Sequence, residues 1–181
     1  MNEKMEDALS YALDDSDMEK ILGKDIFIFT YPYLKEVQHI NDVFDKRGRS
    51  LMLFLTEDQN TGHWCCLFKK GNRIDYYDPY SGRPDQDMKW LTEDKKEELG
   101  EEDKLLTKLL KNSGYEVYYN NVPYQSESAD IATCGRWSAM RLYYKKLSDK
   151  QFFDMIQLGC KKNKMTPDEY ICFISNEIIG K

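Results

Sequence analysis

The sequence predicts an α+β domain with a central, mainly antiparallel sheet flanked by helices. Short apolar and aromatic runs separated by turn residues occupy the middle of the chain, a charged helical pattern follows them, and the segment after Cys134 is helical throughout. The chain has 181 residues, of which 41% are hydrophobic and 32% charged, as expected for one globular domain. We therefore expect a single domain over residues 1–181, with residues 1–25 as an N-terminal helical flank.

The first fifth of the chain predicts a helical flank followed by one strand. Residues 5–22 are typical of one or two short helices, with a cap offered by residues 14–16 and a stop at Gly23. Residues 26–30 form a β-type run, and residues 34–40 have a helical pattern. This part should lie against the edge of the core.

The centre of the chain predicts an antiparallel meander. Three apolar or aromatic runs are separated by two loops of turn residues; the runs cover residues 50–56, 63–68 and 74–77, and the loops cover 57–62 and 69–73. His63 and Asp78 stand at the ends of these strands. Strand ends next to loops are common places for active sites.

The second half of the chain is mostly helical in pattern. One charged helix is predicted from Thr92, its cap, to Asn112, and a strand from Tyr115 to Tyr119. A polar loop then leads to Cys134. Three helices are predicted after it, over residues 134–146, 149–162 and 167–179, with Ser148 and Thr166 as the N-caps of the last two.

Charge and cysteine content exclude several classes of protein. The net charge is −6 and no dense run of Lys or Arg occurs, so nucleic acid is an unexpected partner. No apolar stretch approaches the ~20 residues of a membrane helix, and the N-terminus lacks the apolar centre of a signal peptide. The 5 cysteines fit neither a disulfide framework nor paired zinc knuckles. We expect a soluble protein in a reducing compartment, with no metal or cofactor.

Cys134 is the candidate nucleophile. It is predicted to open a helix, where free backbone N–H groups and the positive end of the helix dipole stabilise a thiolate. Gly135 leaves room for a substrate backbone beside the sulfur, and the amide of Cys134 can donate to an oxyanion. The alternative is that Cys134 is a buried structural residue, as the other four cysteines are expected to be.

His63 and Asp78 are the candidate base and its orienting acid. Asp78 follows His63 by fifteen residues, at the end of the next strand, and an antiparallel hairpin of that length brings the two side by side. Gln125, nine residues before Cys134, offers the uncharged N–H donor that an oxyanion hole requires. Considered alone, each also has an ordinary structural interpretation: a structural histidine, an Asp-Pro turn and an exposed glutamine.

The sequence resembles the cysteine proteases of the adenovirus type (adenain) and the ubiquitin-like-protein type. These proteases share His-Trp, then Asp or Asn, then Gln, then Cys-Gly, which here are His63-Trp64, Asp78, Gln125 and Cys134-Gly135. The closer resemblance is to maturation proteases of large DNA viruses, virophages and Polinton-like elements. It is carried by residues 31–33, 62–68, 77–82 and 133–137 and spans about residues 20–175. It implies a permuted papain-like fold, with His before Cys in the chain.

The resemblance also implies cleavage of viral capsid or core precursors after small residues such as Gly, in the virion or the host-cell cytoplasm. The hypothesis gives the catalytic roles to His63, Asp78, Gln125 and Cys134, and substrate contacts to Trp64 and Gly135. A monomer is expected. Two alternatives stay open: an enzyme that removes ubiquitin-like modifiers, and a catalytically silent binding protein that keeps the fold. The acidic composition does not support the DNA cofactor of the adenovirus enzymes.

Overall fold

A five-stranded sheet forms the centre of the computed structural model, which describes residues 3–181. The strands lie in chain order: β1 (Phe27–Thr30), β2 (Arg49–Leu55), β3 (Gly62–Lys70), β4 (Arg73–Tyr77) and β5 (Glu116–Tyr119). The central pairs β2–β3 and β3–β4 are antiparallel, whereas the outer pairs β1–β2 and β4–β5 are parallel. The predicted α+β class with a mainly antiparallel sheet is confirmed, as is the central meander.

Helices cover both faces of the sheet. They are α1 (Glu3–Ser10), α2 (Asp15–Leu22), α3 (Glu93–Leu99), α4 (Leu105–Lys111), α5 (Cys134–Tyr143), α6 (Asp149–Asn163) and α7 (Pro167–Ile179), with 3₁₀ turns at Tyr31–Glu36, Ile40–Val43 and Gln86–Trp90. Ser148 and Thr166 cap α6 and α7 as predicted, each in a capping box. Residues 1 and 2 of the predicted flank lie outside the described residues. Within residues 3–181, no helix is both long and apolar enough to cross a bilayer.

The prediction of a single helix between Thr92 and Asn112 is wrong, because two helices, α3 and α4, occupy this segment. Thr92 does cap a helix, but Gly100 ends it in the left-handed conformation with φ 77°. The next residue, Glu101, is completely buried, and its carboxylate accepts a hydrogen bond of 2.7 Å from the amide of Leu55. A long-range contact to β2 therefore interrupts the charged helical pattern.

The central strands β2 to β4 are buried on both faces, and their side chains alternate between two cores, whereas β5 is exposed. Leu51 and Cys66 belong to the core beneath α2, α5, α6 and α7, whereas Met52 and Cys65 belong to the core beneath α4 and the 3₁₀ turns. This alternation is the period of two that a strand imposes. Cys65 and Cys66 thus point to opposite faces of the sheet.

Candidate active site

His63 and Asp78 meet at one end of the meander. The register of β3 and β4 pairs Cys66 with Tyr77, so the chain leaves β4 at Asp78 just where it can reach back to His63. The Nε2 atom of His63 lies 2.8 Å from Oδ1 of Asp78, and both side chains are buried. A buried carboxylate at this distance orients the ring and stabilises its protonated form.

Asp78 is held rigidly by its own backbone contacts. Its amide donates to Oδ1 of Asn120 at 2.9 Å, and the Asn120 amide group donates back to the carbonyl of Asp78 at 2.7 Å. The amide of Tyr80 donates to Oδ1 of Asp78 at 2.8 Å. The Tyr80 ring then stacks on the imidazole of His63, with centroids 4.8 Å apart. These contacts fix the imidazole and the carboxylate relative to each other.

Cys134 is the first residue of α5 and is the one cysteine that is not fully buried; the other four are buried and free, as predicted. Burial acts to raise the pKa of its thiol, but a hydrogen bond to His63, the charge of that ring, and backbone N–H groups of Trp64 and Gly135 outweigh it. The net effect is a lowered pKa. The sulfur therefore sits where a thiolate is stabilised.

The ring of His63 lies between the carboxylate of Asp78 and the sulfur of Cys134 and contacts both. Burial lowers the pKa of its ring, yet interactions with Cys65, Asp78 and Cys134 raise the pKa well above its ordinary value. Because Nε2 contacts Asp78, Nδ1 is the nitrogen left to face Cys134. The opposite pKa shifts of His63 and Cys134 favour a thiolate–imidazolium pair.

Gln125 lines the same cleft as Cys134 and His63. Its side chain is buried, and its Nε2 donates to the carbonyl of Ile131 at 3.3 Å, which uses one of the two amide hydrogens. Its Oε1 has no hydrogen-bond donor. One N–H and one acceptor of Gln125 are therefore free for a bound molecule.

The two residues predicted to contact substrate occupy different positions. Trp64 lines the cleft and packs into the core as well. Gly135 is buried, and an added Cβ would lie 2.6 Å from Cε of Met18 and 3.2 Å from Cδ1 of Trp64. Its contact with substrate stays a prediction. Gly135 allows α2 to pack closely against the start of α5.

A second carboxyl group lies behind Asp78. Asp87, in the 3₁₀ turn before α3, is 5% exposed, and its carboxyl makes a hydrogen bond with that of Asp78. Burial, followed by the negative charge of Asp78, raises the pKa of Asp87 from 3.8 to about 7. No amide or hydroxyl donates to Oδ2 of Asp78, so a protonated Asp87 supplies the donor. The sequence analysis missed Asp87, because no local pattern joins it to Asp78.

The same cluster could hold a metal ion. His63, Cys65, Asp78 and Asp87 are buried, and one potential ligand atom from each lies within 4.8 Å of the others. Imidazole, thiolate and carboxylates are the ligands that zinc prefers. An ion held there would take Nε2 of His63 away from Asp78, so its binding would oppose the ion pair with Cys134. The sequence analysis predicted no metal site.

Asp168 of α7 holds the loop that precedes the nucleophile, and the sequence analysis missed this residue too. Its carboxylate accepts hydrogen bonds from the Thr133 hydroxyl at 2.6 Å, the Trp137 indole at 2.9 Å and the Ser126 amide at 2.9 Å. These donors lie on both sides of residues 127–132. The carboxylate thus fixes the start of α5 and, through Ser126, the position of Gln125.

An open cleft of about 1300 Å³ runs past Cys134. His63, Trp64, Tyr80 and Trp90 form an aromatic wall beside the sulfur, and the Trp90 indole meets the His63 ring edge-on at 5.5 Å. A cleft of this size can accept an extended chain rather than only a small molecule. Cys134, His63 and Gln125 therefore line one open cleft, and Asp78 contacts the imidazole of His63 from the interior.

Two solved structures align with most of the chain. The chain aligns with the SUMO protease Ulp1 at 16% identity and a TM-score of 0.41, covering 99% of this chain and 96% of that one. It aligns with the ASFV pS273R protease at 15% identity and a TM-score of 0.46, covering 92% of this chain and 67% of that one. No protein-family model matches the sequence.

A curated relative establishes the family. "Uncharacterized protein V9" of Sputnik virophage is 34% identical over 165 residues, which cover 91% of this chain and 94% of that protein. An identity of this size over nearly both full lengths leaves little of either chain unmatched. The chain therefore belongs to the same family as Sputnik virophage protein V9.

Proposed function

We propose that this protein is a cysteine endopeptidase, with residues 1–181 as one protease domain. The observation that carries the proposal is the contact series Asp78–His63–Cys134, which ends at a half-buried cysteine that lines an open cleft and whose thiol has a lowered pKa. A structural cysteine in a silent scaffold has no need of a paired imidazole and carboxylate.

The chemistry follows from the positions of these groups. The Cys134 thiolate attacks the peptide carbonyl carbon, and the C=O electron pair moves onto oxygen, which accepts hydrogen bonds from Gln125 and from the Cys134 amide. His63 gives its proton to the departing amine as the C–N bond breaks. Water then attacks the thioester while His63 takes its proton, and the thiolate leaves. Asp78 stabilises the charged ring throughout.

A polypeptide of viral origin is the proposed substrate, because the relative of this chain belongs to a virophage. We assign cleavage of capsid or core precursors, after small residues such as Gly, by a monomer acting in the forming virion and the host-cell cytoplasm. The aromatic wall formed by His63, Trp64, Tyr80 and Trp90 supports small residues at the scissile bond, since these large rings line the same cleft as Cys134.

The test combines labelling with cleavage. Wild-type protein and the Cys134→Ala, His63→Ala and Cys160→Ala variants are treated with limiting iodoacetamide near neutral pH, and the alkylated residue is located by mass spectrometry. The same proteins are incubated with capsid and core precursors, with modifier conjugates and with a Gly-Gly peptide library. Cys160 is buried and far along the chain from the cleft, so Cys160→Ala serves as the matched cysteine control.

We expect selective alkylation of Cys134, slower alkylation in His63→Ala, and cleavage of precursors by the wild type and by Cys160→Ala only. Cleavage that persists in Cys134→Ala would contradict the assignment of the nucleophile. Release of modifiers in preference to precursors would instead make the protein a deconjugating enzyme. A Cys134 that is inert to iodoacetamide, together with no cleavage, would identify a silent binding protein.

A further inference from the structure

Four carboxylates converge on the cleft from separate parts of the chain. Asp14 and Asp15 stand at the start of α2, Glu57 lies in the loop between β2 and β3, and Glu127 lies in the loop that leads to Cys134. Among the residues described, no Lys or Arg lines this cleft. The surface around the nucleophile is therefore acidic on several sides.

These carboxylates are not neutralised by neighbouring cations. Asp15, Glu57 and Glu127 are exposed, and within residues 3–181 none of them forms an ion pair. Lys20, in the last turn of α2, is paired with Asp17 at 3.3 Å, and Lys95 of α3 is paired with Glu98 at 2.9 Å. Their negative charge stays available to a bound ligand.

The cleft carboxylates act on one another and on Tyr80, a neighbour of His63. The pKa of Asp15 is raised by burial and then by the charges of Asp14 and Glu19. The pKa of Tyr80, whose ring stacks on His63, is raised mainly by burial; the charge of His63 lowers it, and the charges of Cys134, Asp168 and Glu127 raise it. A positively charged ligand would relieve this like-charge repulsion.

An unpaired polar atom in the same cleft indicates what sort of ligand fits. Gln125 is 5% exposed, and its Oε1 has no donor although it is buried. A buried acceptor without a donor costs free energy until a ligand supplies one. The backbone N–H of an extended peptide is such a donor, so the acidic rim surrounds a site with peptide-binding groups.

We propose that the cleft selects polypeptide segments carrying Lys or Arg beside the scissile bond. This inference rests on the proposed protease function and adds its substrate class: basic, extended segments with small residues at the bond itself. Charge attraction across a few ångströms of water is modest for each pair, but four carboxylates from three segments act together. An acidic flanking sequence meets repulsion from the same groups.

Binding is tested apart from cleavage, using the full chain with Cys134→Ala. Fluorescently labelled peptides share a Gly-Gly centre and carry Lys, Gln or Glu at the flanking positions, and fluorescence anisotropy gives Kd. At low salt we expect the Lys peptide to bind at least roughly tenfold more tightly than the Glu peptide, and this ratio to shrink in high salt as the charges are screened.

Matched variants separate the effect of the cleft carboxylates on peptide binding from the effect of the protein's overall negative charge. Glu57→Gln and Glu127→Gln, each in the Cys134→Ala background, should lower the Lys-to-Glu preference by about two- to threefold. Glu97→Gln removes one charge from exposed helix α3, away from the cleft, and should leave the preference unchanged.

Equal affinity for the Lys and Glu peptides, no measurable binding of the Lys peptide, or the same loss in Glu97→Gln as in the rim variants would overturn the inference. Cleavage by the wild type is measured in parallel with the same peptides. If the wild type cleaves all the peptides equally well, the preference for basic substrates is refuted but the protease function is not. If the Lys peptide binds tightly, is not cleaved, and Cys134 is inert to iodoacetamide, the protease function is refuted but the charge preference is not.

Discussion

Replacing Asp87 by Asn should make the stability of the protein less dependent on pH. Asp87 is buried behind Asp78, its pKa is raised to about 7, and its proton supplies the donor that Oδ2 of Asp78 otherwise lacks. Asn has nearly the same shape and keeps an N–H donor, but it cannot ionise. The variant therefore retains the hydrogen bond and removes the titration.

The size of the effect follows from the pKa of Asp87. In the unfolded chain its carboxyl loses its proton near 3.8, whereas in the folded protein it keeps the proton to about 7. Between these values the folded state binds more protons, so the free energy of unfolding falls as pH rises, and it levels off above the folded pKa. From about pH 5 to about pH 8 this loss is about 3 kcal/mol in the wild type and absent in Asp87→Asn.

Urea denaturation followed by tryptophan fluorescence, at several pH values between about 5 and 8, measures the difference. The stability advantage of Asp87→Asn over the wild type should grow by about 3 kcal/mol across this range. Asp94→Asn, an exposed change on α3, is the control and should show no such trend. A difference between wild type and Asp87→Asn that stays constant with pH would refute the proton-sharing interpretation.

Three further predictions concern the neighbours of the nucleophile. Gly135→Ala places a Cβ 2.6 Å from Cε of Met18, so it should lower the free energy of unfolding by about 1–3 kcal/mol; a smaller side chain in Gly135→Ala/Met18→Ala should restore part of this in urea denaturation. Asp168→Ala leaves three donors unpaired and should cost about 3 kcal/mol or more, with slower cleavage; a loss below 1 kcal/mol would contradict the bracing role. Gln125→Ala should lower kcat by roughly 10²–10³-fold while iodoacetamide still alkylates Cys134 at the wild-type rate; a slower alkylation would instead indicate a structural defect.

The parts of the fold that the sequence predicted depend on local signals. Strands β2–β4 alternate in period two and are separated by turn residues, and Ser148 and Thr166 cap helices within three residues of their partners. The division of the segment 92–112 depends instead on Glu101, whose partner Leu55 lies 46 positions away. A periodic pattern of charged and apolar residues contains no sign of such a contact.

The same distinction applies to the site. His63, Asp78, Gln125 and Cys134 could be proposed because their chemistry is recognisable in this order, and the structure gathers all four around one cleft. Asp87 escaped notice because its neutral state arises from burial against another acid, which exists only after folding. The close packing of Gly135 against α2 could not be predicted for a related reason: the neighbour of its missing Cβ is Met18, which folding alone brings there.

Asp168 of α7 holds the loop that precedes Cys134, so this loop is braced only after α7 has been synthesised. Asp168 lies 35 positions after Thr133, so a ribosome produces the sulfur well before it produces this anchor. A nascent chain that has emerged only through α5 has an unbraced loop and an incomplete active centre. The proposed active site would therefore be complete only after α7 has been synthesised and has packed against this loop.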